Sequence, residues 1–141
     1  MHTKAKGNVG ELAIAKDLTL RGYSVFAELG DLSRIDLIAV KEERLTRVQV
    51  KTVWDSSDGV VGISSRSSGP GYSYNYTSRD VDIIALYIAD RDDIIYVDIH
   101  DVDGSAEGRR GRVLRYTLPK NNQSKGVVMV NEHKRINASL I

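Results

Sequence analysis

Residues 35–52, IDLIAVKEERLTRVQVKT, decide the fold. The run IDLIAV (35–40) is almost continuously apolar, as a strand covered on both faces is. KEER follows as a short polar connection, and LTRVQVKTV (45–53) alternates strictly. Side chains two apart on a strand point the same way, roughly 7 Å from each other. Arg47, Gln49 and Lys51 therefore share one face, and Val48 and Val50 the other. A return through KEER sets the two runs antiparallel and brings Asp36 toward Gln49 and Lys51.

Outward from this hairpin, NVGELAIAKDLTLR (8–21) puts Val9, Leu12, Ala13, Lys16 and Leu20 on one helical stripe, with Ile14 and Leu18 widening it. Asn8 stands as the expected N-cap with Glu11 three residues on, and Gly22 as the left-handed terminator. YSVFAEL (23–29) has strand propensity and precedes the polar turn GDLSR. The three strand segments are expected to form an antiparallel meander on the helix. VDIIALYI and IIYVDI, separated by ADRDD, predict a buried hairpin, RVLRYTL a further strand, and NEHKRINASL a short closing helix. Between them, residues 55–80 turn to Ser, Gly, Tyr and Arg, and only VVGI reads as a strand there. A long loop is expected, its Tyr72, Tyr74 and Tyr76 alternating either as one face of a strand or as a surface for stacked bases. Gly-Pro-Gly at 69–71 reads as a turn. The order predicts one α+β domain, residues 1–141, with a mixed sheet.

The 141 residues suit one ordinary domain, and 41% hydrophobic with 28% charged residues is a globular composition. The absence of cysteine excludes disulfides, thiolate zinc sites and a thiol nucleophile. His2, His100 and His133 are too scattered for zinc, and neither a P-loop nor a GxSxG elbow is present. No stretch approaches the roughly 18 apolar residues of a membrane span, so a soluble, cytoplasmic protein without a membrane partner is expected. Net charge is +1, but its distribution is uneven: Lys4 and Lys6 precede the helix, Arg109, Arg110, Arg112 and Arg115 crowd one segment near Lys120 and Lys125, and acids gather around 80–103.

A carboxylate and an ammonium set among valines cost several kcal/mol each to bury unpartnered, so the cluster persists either as a satisfied ion pair or as a site. An aspartate with an amide oxygen suits a hard divalent cation such as Mg²⁺, and a nearby lysine suits charge developing on a phosphate.

Asp36 followed by Gln49-Val50-Lys51 resembles the PD-(D/E)XK nuclease signature, with Ile35 where proline is usual and Gln49 where Asp or Glu is usual. The nearer resemblance is to the group I intron-associated PD-(D/E)XK homing endonucleases, on an ordered set: Lys6-Gly7 to Glu11, Gly22-Tyr23, Gly30-Asp31, Ile35-Asp36 and Gln49-Val50-Lys51. It covers residues 4–53 well, and the later hairpin and NNQSKG more loosely. The resemblance implies a restriction-endonuclease-like αβββαβ core, a mixed central sheet flanked by helices. It implies catalysis by Glu11, Asp36, Gln49 and Lys51, the first three holding Mg²⁺, for which Mn²⁺ substitutes. Lys4, Lys6, Arg66, Arg79, Arg112, Lys120 and Lys125 are the expected phosphate contacts. The competing role for Glu11 is a capping box with Asn8, and for Asp36 an ion pair with Arg34 or Arg47. The implied activity is a metal-dependent DNA endonuclease of the homing type, working as a homodimer or higher homo-oligomer. Two alternatives are a Holliday-junction resolvase on the same core and a non-catalytic DNA-binding module, to which the neutral Gln49 would be suited.

Overall fold

The computed structural model describes residues 1–64, 66–102, 111–121 and 127–130. It opens with helix α1 (Thr3–Leu20), which starts five residues before the expected cap. The N-cap is His2, whose Nδ1 accepts from the Lys4 amide at 3.3 Å, and Asn8 lies inside the helix. Nothing in residues 3–8 breaks a helix except Gly7, at about 1 kcal/mol, so the apolar pattern marks the packed length and not the full length. The packed stripe is also offset from expectation: Gly10, Ile14 and Leu18 are buried, while Leu12 and Leu20 are exposed. Gly10 takes part because the helix crosses the sheet there, against the Thr52 side chain. The helix ends as expected, at Gly22 with φ +90°.

Strands β1 (Ser24–Ala27), β2 (Leu37–Lys41) and β3 (Arg44–Val53) form the expected antiparallel meander. Glu42 and Glu43 close the β2–β3 hairpin, both at positive φ (51° and 66°), the geometry that matches the twist of a two-residue hairpin. The next segment holds β4 (Val60–Ser64), β5 (Arg66–Gly69) and β6 (Tyr72–Asn75). This corrects the expected long loop: β5 and β6 pair antiparallel across the Gly-Pro-Gly turn, where Gly71 has φ +78°. The alternating tyrosines were the strand signal, masked by the polar residues between them.

Strands β7 (Ile83–Ile88) and β8 (Asp93–Asp98) then form the expected hairpin, followed by the short helix α2 (Ile99–Val102) and strands β9 (Gly111–Arg115) and β10 (Val128–Met129). The central sheet runs β1-β2-β3-β7-β8, with β3 and β7 parallel and the other neighbours antiparallel. It is a mixed sheet in an α+β fold. The crossover from β3 to β7 carries strands where the αβββαβ pattern has a helix. The expected closing helix lies outside the described residues.

The sheet has two apolar faces. Leu37, Ala39, Val48, Ile83, Ala85 and Tyr96 pack against Ile14 and Leu18 of α1. Ile84, Leu86, Ile88, Ile95 and Val97 pack against Val61, Ile63 and Leu114 of the smaller β10-β9-β4 sheet, with Ile99 and Val102 of α2. Among the described residues, no helix is long and apolar enough to cross a membrane.

Candidate active site

The site begins where β2 leaves the ladder. Leu37 pairs with Val48, and one residue earlier the Asp36 amide donates to the Val48 carbonyl at 3.0 Å. The strand goes no further, so the Val50 amide faces no β2 carbonyl. The Asp36 carboxylate takes that place, its Oδ2 accepting from Val50 N at 2.8 Å. A short, charge-assisted bond of this kind fixes the carboxylate beside β3.

Gln49 and Lys51 register against Ile84 and Leu86, on the face turned away from α1. Gln49 Oε1 is buried and accepts no hydrogen bond. An unsatisfied buried amide oxygen costs about 1–3 kcal/mol, so its persistence calls for an explanation. Glu11 approaches from α1, one residue past the close crossing at Gly10. Asp36 joins two clefts: one of about 580 Å³ shared with Glu11, Lys4, Asn8 and Asp31, and one of about 420 Å³ shared with Gln49, Asp31, Arg34 and three tyrosines.

The electrostatics show an excess of negative charge in a partly desolvated place. Burial pushes the Glu11 carboxyl above its usual range, and repulsion from Asp36 and Asp31 adds to the rise. Burial likewise raises Asp36; the Val50 amide opposes it, Asp31 and Glu28 add to it, and Lys51 opposes it. Burial lowers Lys51, and attraction to Asp36 opposes that. Asp36 is thus coupled to both Glu11 and Lys51.

A divalent cation fits this donor set. Among the described residues, no three His, Cys, Asp or Glu side chains group closely enough to hold a metal by themselves. Two carboxylates and the orphaned amide oxygen of Gln49 supply hard oxygen ligands instead, and hard cations of the Mg²⁺ type keep waters in their remaining positions. Asp36 shares one cleft with Gln49 and the other with Glu11, so a cation bound at Asp36 is the arrangement that would satisfy the amide and relieve the carboxylate repulsion.

The capping box weighed for Glu11 and the arginine ion pairs weighed for Asp36 do not occur. Glu11 forms no capping box with Asn8, because the helix starts at Thr3. Arg47 is engaged with Asp82, donating from Nε and Nη2 at 3.1 and 2.9 Å and from its amide at 2.7 Å, and also with the carbonyls of Ser78 and Arg79. Arg34 lies 3.4 Å over the Tyr74 ring and 3.8 Å from Asp80.

The basic residues are spread differently. Lys4 lines the Glu11 cleft, Lys6 lies over Trp54 at 5.5 Å, and Arg79 and Lys120 are exposed. Arg112 is half-buried, with Nη1 donating to the Asp101 carbonyl at 3.3 Å. Arg66 lies on β5, and Lys125 is outside the described residues. His2 and His100 serve locally, the latter against Asp98 at 2.7 Å. The sequence reading did not place Gly10, Arg34 or Asp31 at the site, although Asp31 stood in the ordered motif set and Arg34 was weighed as a partner of Asp36; Gly10 begins the buried helical stripe that Ile14 and Leu18 continue.

The family model of PD-(D/E)XK endonucleases matches residues 1–136, and the chain belongs to that family. Among solved structures, a bacterial homing endonuclease, I-Ssp6803I, superposes with a TM-score of 0.67, at 22% identity over 89% of this chain and 84% of that one. At that identity the likeness establishes the shared fold. No curated protein matches the chain.

Proposed function

We propose that this single-domain chain is a Mg²⁺-dependent DNA endonuclease of the homing type, with Mn²⁺ able to substitute, working inside the cell as a homodimer or higher homo-oligomer. The observation that carries the reading is the buried, unsatisfied Gln49 Oε1 in the cleft it shares with Asp36. Glu11, Asp36 and Gln49 would hold the cation. When bound, it lowers the pKa of a water and draws charge from a phosphoryl oxygen.

The chain's own groups do the rest. The Val50 amide keeps Asp36 oriented. Lys51, electrostatically coupled to Asp36, offsets the negative charge that grows on the phosphoryl oxygens as water adds to phosphorus. The ester P–O bond breaks as the new one forms; the attacking water gives up a proton to solvent, and the leaving oxygen takes one up from solvent. Lys4, Lys6, Arg66, Arg79, Arg112, Lys120 and Lys125 supply phosphate contacts. One such site cuts one strand, so two symmetry-related copies cut a duplex. The homing type is favoured by the ordered motif set and by the fold shared with a homing endonuclease.

The test is cleavage of plasmid duplex and of a four-way junction, side by side, with Mg²⁺, Mn²⁺ or EDTA, by the wild type and Asp36→Ala. Metal-dependent duplex cleavage lost in Asp36→Ala supports the proposal. Cleavage confined to the junction assigns a resolvase, and metal-independent binding without nicking assigns a non-catalytic module.

A further inference from the structure

Tyr76 is 6% exposed, and Lys51 Nζ lies over its ring, 5.7 Å from the centroid. Tyr74 meets Tyr76 edge-on, with centroids 6.0 Å apart and planes at 72°. Tyr74 is in turn anchored: its hydroxyl donates to both Asp80 carboxylate oxygens at 3.1 Å, and the Arg34 guanidinium lies over its ring. Asp80 is itself held by the Thr77 amide at 3.0 Å. Lys51, Tyr76, Tyr74 and Arg34 therefore form one continuous file, of which Tyr76, Tyr74 and Arg34 line the cleft shared with Asp36 and Gln49.

We propose that Tyr76 is a positioning residue: its ring face seats the Lys51 ammonium, and the anchored Tyr74 keeps that ring in place. This rests on the nuclease reading of the site and adds to it a component from the 55–80 segment. A lysine ammonium is a strongly hydrated point charge on a flexible four-carbon stem. Burial strips part of that hydration, so the direction of the ammonium is set by the groups that surround its end, the Tyr76 ring among them. An aromatic face within about 6 Å attracts the cation through the ring quadrupole without using up an N–H donor. The β5–β6 hairpin leads directly into Tyr76, so the crossover places this ring while β3 places the lysine. Tyr72 differs from the other two in being 60% exposed.

The experiment compares Tyr76→Phe, which keeps the ring, with Tyr76→Leu, which removes it. Single-turnover cleavage of duplex DNA should slow about tenfold in Tyr76→Leu, with DNA affinity within about twofold of wild type, while Tyr76→Phe stays near the wild-type rate. An unchanged rate in Tyr76→Leu, or equal losses in both variants, would overturn the proposal. Should Tyr76→Leu not fold, phenylalanines carrying one, two and three ring fluorines at position 76 hold size nearly constant while weakening the face. Rates should then fall stepwise with fluorine number, and a flat series would overturn the proposal. Independently of cleavage, the Lys51 Hε protons should show a ring-current shift in the wild-type NMR spectrum. That shift in a protein that cuts no DNA would uphold the seat and overturn the nuclease reading, whereas its absence would overturn the seat.

Discussion

Asp36 and Val50 are joined where β2 ends: the carboxylate accepts the 2.8 Å bond that a continuing strand would have supplied from its backbone. The strand terminus and the acidic side chain are therefore one feature. Asp36→Asn keeps an acceptor for the Val50 amide and removes the charge, whereas Asp36→Ala removes both. Melting curves should show Asp36→Ala about 1–3 kcal/mol less stable than Asp36→Asn, while cleavage assays show both at least 100-fold slower than wild type. Equal stability of the two would mean that the Val50 bond contributes nothing.

Lys51 carries a cost as well as a role. Its ammonium is partly buried and its pKa lowered by that burial, so replacement with an apolar chain of similar length removes a penalty. Lys51→Met removes that penalty and also the attraction that opposes the rise of Asp36, so stability should change by no more than about 1 kcal/mol while cleavage is abolished, with denaturant titration and the nuclease assay run on one preparation. Greater stability with full activity would reassign the Asp36–Lys51 pair as purely structural.

The raised carboxyls set the pH response. Glu11 and Asp36 lie above their ordinary values of 4.5 and 3.8 in the folded chain. In the metal-free protein their ionisation therefore opposes folding: the penalty is absent below those ordinary values and complete above the raised ones. Cation binding needs both groups ionised, so protons compete with it over a range higher than for an ordinary carboxylate. The melting-temperature difference between Mg²⁺ and EDTA should be largest near neutral pH and shrink on acidification before ordinary carboxylates protonate. A difference independent of pH would contradict this charge assignment.

Gly10 sets the approach of α1. A Cβ at this position would collide with the Thr52 Oγ1 and stand 3.2 Å from its Cβ. Alanine gains about 1 kcal/mol of helix propensity over glycine, but overpacking costs about 1–3 kcal/mol. Gly10→Ala should be net destabilising by about 1 kcal/mol and should reduce cleavage by moving Glu11 outward. Thr52→Ala in the same chain should restore both.

Much of this was legible in the sequence because strands announce themselves by period. The 35–53 hairpin and the β7–β8 hairpin were both readable, the first from a polar turn between an apolar and an alternating run, the second from two nearly continuous apolar runs. Asp36, Gln49 and Lys51 stood out as polar residues in strands otherwise built for burial. The helix start was hidden because Thr3 to Asn8 carry no apolar period and the cap is an atypical His2. The β5–β6 hairpin was hidden for a related reason: Ser, Gly and Arg surround its tyrosines, and pairing across Gly-Pro-Gly overrides that composition. Arg47 could not be assigned to Asp82, since that partnership depends on a crossover of about thirty residues returning parallel to β3.

The most direct test of the central claim is an anomalous-scattering map from crystals of the protein with DNA and Mn²⁺. The account predicts a peak within about 2.0–2.6 Å of Gln49 Oε1 and of an Asp36 carboxylate oxygen, with Glu11 ligating directly or through water. Mn²⁺ elsewhere, with Gln49 Oε1 satisfied by a protein donor, would contradict it.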